Sequence, residues 1–186
     1  MKHAVRFRHR RGYGVHSPFM FQLITGVICA RRNRYTYPPP AEALPGMRWR
    51  ERKLYRLAYR LCAHLEFRTV LCTGNGIEGA VCYLEEIPAV RQVETDGFGA
   101  VKEAAFIFVG TEASAQSGQS DILDIPGIIS PGERKCILMT EIHRNSGNLL
   151  LWRRLKDRAT VSVDMMWYGI LLFDEKLQQG KYYLTI

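Results

Sequence analysis

The start of this sequence contains no apolar run long enough to cross a bilayer. The longest there, residues 19–30 (FMFQLITGVICA), has 12 residues and includes Gln22 and Thr25, whereas a spanning helix needs about 20. A secretory leader also fits poorly, because the basic region before the run is long and ICARR is a poor cleavage site. A cytoplasmic protein with no membrane span is expected. Internal repeats and heptads are lacking, which excludes solenoids and coiled coils. The five cysteines (Cys29, Cys62, Cys72, Cys82, Cys136) are odd in number and widely spaced. They therefore read as small buried hydrophobes in a reducing compartment, and neither a disulfide frame nor a metal site is expected.

Acids are scarce at one end. Residues 1–60 hold two, Glu42 and Glu51, against 14 Lys and Arg, while the remainder of the chain holds 16 acids against 12 bases. Blocks such as RFRHRR, RRNR and RWRERK attract phosphates of nucleic acid, nucleotide or anionic membrane, although a solvated basic face is the plainer reading. With 186 residues, 47% of them hydrophobic, the chain is large enough to bury a core without a metal or disulfide staple.

The ordered parts come in sequence. Ser17 and Pro18 have the chemistry of an N-cap and a first helical position, with Phe19, Leu23 and Val27 on one face of the helix they begin. Residues 37–46, YPPPAEALPG, hold four prolines and are expected to be a linker, neither helix nor central strand. They divide a basic helical N-terminal cap, 1–46, from a main domain, 47–186. Leu54, Leu57, Ala58, Leu61, Cys62 and Leu65 recur at helical spacing, with arginines on the other side, so an amphipathic helix is expected over residues 49–65.

Apolar runs at residues 70–73, 90–94, 104–110 and 134–140 read as strands, the last two continuous enough to be buried on both faces of a parallel sheet. The soft segment between them, residues 111–133, is too polar at first for regular structure and turns helix-like near Ile122. SGNLLLWRRLKD predicts a helix capped by Ser146 with Leu149, Trp152 and Leu155 buried. Three closing strand-like pieces follow, the first two as an antiparallel pair.

The first strand enters a turn containing Gly74, Asn75, Gly76 and Gly79 and then a helix, and Glu94 ends the next strand 20 residues after Gly74. Glycines in such a turn let backbone approach a ligand, and an acid at that distance suits ribose hydroxyls. The plainer readings are a tight turn and a solvated strand end. Glu141 and His143, in TEIH, supply an acid and a base near another strand end, where titratable residues are more often simply exposed.

Several separated segments together resemble the class I S-adenosylmethionine-dependent methyltransferases, in particular their short Bacteroidetes-type members. They are YGVHSPF, ERKLYRLAYRL, VLCTGNGIEGAVCYL, VET, AFIFVG, ILMTEIH and WRRLKDRATVSVDMMWYGILLFDEK, covering most of the chain. The resemblance implies an α/β fold with a Rossmann-like, mostly parallel sheet and antiparallel closing strands. It implies S-adenosylmethionine as cofactor, held by Gly74, Asn75, Gly76, Gly79 and Glu94, with Glu141 and His143 as candidate catalytic groups.

The departures are specific. Cys72 stands where the family carries an acid that meets the cofactor's amino end; Gly110 and Thr140 stand where further acids are common. A thiol, a hydrogen and a hydroxyl do not replace three carboxylates as partners of a cation. Only ten residues, 95–104, separate the second strand from the next, marginal even for one crossover. The third strand of the family fold is therefore expected to be missing, and the bared edge of the second to be covered by a homodimer or other partner.

Three function classes follow: a methyltransferase acting on an unidentified small-molecule or macromolecular acceptor, a non-catalytic descendant used in binding or assembly, and a nucleic-acid binder. The last ranks lowest, since no recognised nucleic-acid motif is present.

Overall fold

The computed structural model describes residues 12–31, 34–95, 103–111, 132–144 and 146–185. The RFRHRR block, the soft segment from 112 to 131 and the link at 96–102 that bears on the missing strand lie outside the described residues.

Ser17 accepts a hydrogen bond from the Met20 amide at 3.4 Å and Pro18 opens helix α1, Pro18–Gln22, which continues as a π-helical turn, Leu23–Ile28. Met20, Leu23, Ile24, Val27 and Ile28 are buried, and Phe19 partly so. These residues join the same apolar cluster as the main body, so the described part of the 1–46 segment shares its core with 47–186.

The proline-rich stretch corrects an expectation, for it contains a one-turn helix, α2, Pro39–Glu42. Pro38 occupies the N-cap and Pro39 and Pro40 the first turn, where missing amide hydrogens cost nothing. The first amide that must donate, Glu42 N–H, finds Pro38 O at 3.1 Å.

Helix α3, Trp49–His64, follows the expected period, and Glu51 reaches back to the Arg48 amide at 2.8 Å to hold its first turn. Its arginines do not all face outward. Arg60 is only 9% exposed, donating from Nε to Val27 O at 2.8 Å, from Nη2 to Ile28 O at 3.3 Å and from Nη1 to Tyr37 Oη at 2.6 Å. The preceding helical turn ends with carbonyls that have spare acceptor capacity, and the guanidinium donates into them. Arg56 makes a two-pronged contact to Glu42, which also accepts from Tyr83 Oη, tying α2 to the body.

The remaining elements are β1 (Thr69–Thr73), α4 (Glu78–Glu85), β2 (Gln92–Thr95), β3 (Phe106–Val109), β4 (Lys135–Thr140), α5 (Ser146–Lys156), β5 (Val161–Asp164), β6 (Tyr168–Phe173) and β7 (Gly180–Tyr183). Ser146 belongs to the first turn of α5, and the side chains it buries are Asn148, Leu151, Trp152 and Leu155, with Leu149 half-buried.

One mixed sheet runs in the order β2-β1-β3-β4-β6-β5-β7. β1 pairs parallel with both β2 and β3, β3 with β4, and β5 with β7; β6 runs against both neighbours. The expected α/β class with a mostly parallel sheet is therefore present.

Register explains the continuous apolar runs. Cys72, Phe108, Leu138, Ile170 and Val163 form one row beneath α3 and α4; Leu71, Ile107, Ile137 and Leu171 form the row on the opposite face, in the cluster with α5. A strand covered on both faces has no polar alternation to display.

Candidate functional site

β1 occupies the middle of its parallel neighbours, and the chain leaves it at their carboxyl edge. There Gly74 and Gly76 take φ of +90° and +69°, a left-handed region that side chains strongly disfavour. The other two glycines make room for protein. A Cβ on Gly79 would lie 2.3 Å from the Tyr55 ring, and one on Gly110 would lie 2.3 Å from Asn75 O.

The turn is closed by its own hydrogen bonds. Asn75 N–H donates to Thr111 O at 2.8 Å, Thr111 N–H returns to Asn75 O at 3.0 Å, and Thr111 Oγ1 adds a bond to Asn75 O at 3.3 Å. Gly110 O accepts from Asn148 Nδ2 at 3.1 Å, and Gly76 O from Tyr55 Oη at 3.0 Å. The loops after β1 and β3 are thus stitched together. Cys72 beneath them is fully buried, and burial pushes its thiol up to about 12, so it is neutral at pH 7.

Beside this seam opens a cavity of about 570 Å³, within the size range of small-molecule sites. It is walled by the first turn of α3, the glycine turn, the ends of β3 and β4 and the start of β6. Asn75, Gly76 and Glu141 line it; Gly74, Gly79, Glu94 and His143 do not. Its walls also carry Arg48 and Arg50 of the basic block, Thr140, and four residues that sequence reasoning passed over: Tyr55, Arg144, Trp167 and Tyr168. The basic block RWRERK signalled a phosphate-attracting or solvated face, but nothing in the sequence brought Trp167 to it.

Arg50 and Arg144 approach the Trp167 ring, their guanidinium carbons 4.8 and 5.2 Å from its centroid, close enough for cation–π attraction. Tyr168 Oη donates to Arg50 O at 3.0 Å, anchoring the helix start to β6. Burial raises the phenols of Tyr55, to about 12, and of Tyr168, so both remain hydrogen-bond donors across the physiological range.

Glu141 and His143 go to different partners. Glu141, at φ +48°, lies 3.8 Å from Arg144 Nη1. His143 Nε2 stands 2.9 Å from Asp164 Oδ2, while Asp164 Oδ1 accepts from the Met166 amide at 3.0 Å. Glu94 lies on β2 in register with Leu71, half-buried, and accepts from Gln92 Nε2.

Among the described residues no group of three or more His, Cys, Asp or Glu is placed to hold a metal ion, and no helix is long and apolar enough to cross a membrane. Compared with known protein families and with curated proteins, the sequence matches none.

Proposed function

We propose that this chain is a degenerate relative of the class I S-adenosylmethionine-dependent methyltransferases whose Rossmann-like sheet serves ligand binding and no longer methyl transfer. The order β2-β1-β3-β4 supports the ancestry, since the described strands follow the doubly wound order apart from its outer third strand, which is not among them, and both the glycine turn and the cavity sit where that order reverses.

The observation that carries the loss of transfer is the two-way bridge between Asn75 and Thr111. S-adenosylmethionine bears an ammonium, a sulfonium and one carboxylate, a net positive charge, and needs acceptors where its amino end rests. Here Asn75 O already accepts from two protein donors and the carbonyls of Gly76, Gly110 and Thr111 from one each, and the residue below them is a neutral thiol where a carboxylate would be needed. The open side presents three arginines against two glutamates. The residues present do not fit this cofactor.

Calorimetric titration with S-adenosylmethionine and S-adenosylhomocysteine tests the reading: no saturable heat is expected at millimolar ligand. Micromolar binding that Glu94→Ala abolishes would overturn it. The paired His143 and Asp164 favour a second reading, residual transfer with His143 as the base; labelled methyl incorporation that His143→Gln removes would support it.

A further inference from the structure

We propose that the outer edge of β2 pairs with the same edge of a second copy of this chain, antiparallel about a two-fold axis through Val93, so that two seven-stranded sheets become one.

β2 ends the strand order, with β1 on its inner side in parallel register from Thr69↔Gln92 to Cys72↔Thr95. Among the described residues no strand lies on its outer side. A strand carries main-chain donors and acceptors along both edges, and an open row of them is a template for another strand. Proteins blunt such edges with lysine, glycine or proline, and β7 at the far end of the sheet does so with Gly180 and an exposed Lys181. β2, with the sequence QVET, has none of the three.

The side chains of β2 select a second copy as the occupant. Gln92 Nε2 donates to Glu94 Oε1 along the strand. That bond uses one of two amide hydrogens and one of two carboxylate oxygens. With Val93 on the axis, Gln92 of each copy lies directly opposite Glu94 of the other, and the second hydrogen and second oxygen meet across the seam. The four side chains close a ring in which every amide faces a carboxylate. The contact is isologous, as a two-fold dimer requires.

α4 extends the contact on one face of the sheet. It packs against β2 and presents Gly79 and Tyr83 to Tyr55 of α3, while Ala80 is buried in the core. Val81, about 100° further round the helix, faces away from α3 and is half-buried. The two-fold brings the α4 of the second copy to the same face, where the two valines cover one another. Four residues and one helix flank make a small interface, so a reversible dimer of micromolar affinity is expected.

Sedimentation velocity of the full chain, from low micromolar to several hundred micromolar, tests the proposal. A concentration-dependent dimer is expected. Gln92→Glu sets like charges opposite one another at both symmetry-related places and should weaken it about tenfold. Exchanging the pair, Gln92→Glu with Glu94→Gln, again puts an amide opposite each carboxylate and should restore most of the affinity. Val93→Cys, on the axis, should form a disulfide-linked dimer on oxidation, whereas Gln92→Cys, displaced from its own mate along the strand, should link no more than wild type. A chain that is monomeric at every concentration, a dimer that Gln92→Glu leaves unchanged, an exchange that restores nothing, or equal linkage of the two cysteine variants overturns the proposal.

Discussion

Replacing Gly79 by alanine, with and without a change at Tyr55, separates a glycine kept for a ligand from one kept for packing. The added Cβ would lie 2.3 Å from Tyr55 Cε2 and 2.7 Å from Cδ2, far inside van der Waals contact. The ring cannot retreat freely: its hydroxyl is tied to Gly76 O at 3.0 Å, and Tyr83 and Phe108 stand about 6 Å away, centroid to centroid. Overpacking of this kind costs about 1–3 kcal/mol, partly offset by up to about 1 kcal/mol because alanine prefers the helix that Gly79 helps to start. Gly79→Ala should therefore destabilise the wild type by about 1–2 kcal/mol. In a Tyr55→Leu background the clash is gone and the same change should be neutral or mildly stabilising, a coupling of about 1–3 kcal/mol. Urea unfolding of the four proteins measures it. If the effect of alanine is the same in both backgrounds, within about 0.5 kcal/mol, the assignment of Gly79 to packing is wrong and the case for a filled turn weakens with it.

The clamp at Glu42 makes a pH-dependent prediction. The hydrogen-bonded Arg56 guanidinium holds the Glu42 carboxyl below the usual carboxylate range, so it stabilises the fold above its unfolded value near 4.3 and ceases to do so as pH falls through the lower folded value. Glu42→Gln should cost about 1–3 kcal/mol at pH 7, and its deficit against wild type should shrink below about pH 4; a deficit unchanged at pH 3 refutes the clamp. Burial pushes the thiols of Cys62 and Cys72 up to about 12, and that of Cys136 upward also. A thiol reagent at pH 8 should therefore label only the half-buried Cys29 and Cys82 quickly. Rapid labelling of Cys72, mapped by peptide mass, contradicts the burial on which the loss of the cofactor's amino-end partner rests.

Much of the architecture was legible along the chain because its signals are local. The apolar spacing from Leu54 to Leu65 belongs to one helix and needs no partner to be seen. The unbroken runs in β1, β3 and β4 announce strands covered on two faces, and helix α4 between β1 and β2 suits the parallel pairing of those two. α2 escaped notice because proline is judged as a helix breaker unless its place in the first turn is known. Arg60 escaped because an arginine on a basic helix gives no sign of which one will meet carbonyls of an earlier turn.

The candidate site divides the same way. The glycines were visible as a turn, but what fills them was not: Tyr55 comes from the preceding helix, Thr111 from the next strand, and both act through contacts between distant positions. The pairing of Glu141 with His143 suggested by TEIH gives way to Arg144 and Asp164, since residues two apart beyond a strand end need not face one another.

By itself, then, the sequence determined the long helix α3, the apolar strands β1, β3 and β4, the charge imbalance of its two ends, and the absence of a carboxylate at Cys72. These are properties of neighbours in the chain, decided by periodicity, composition and residue chemistry. Only the tertiary structure decided that Arg50 and Trp167 share a cavity wall and that the turn is sealed by Thr111. Strand order sets those juxtapositions, and burial of two sheet faces, a sum over the whole chain, sets strand order.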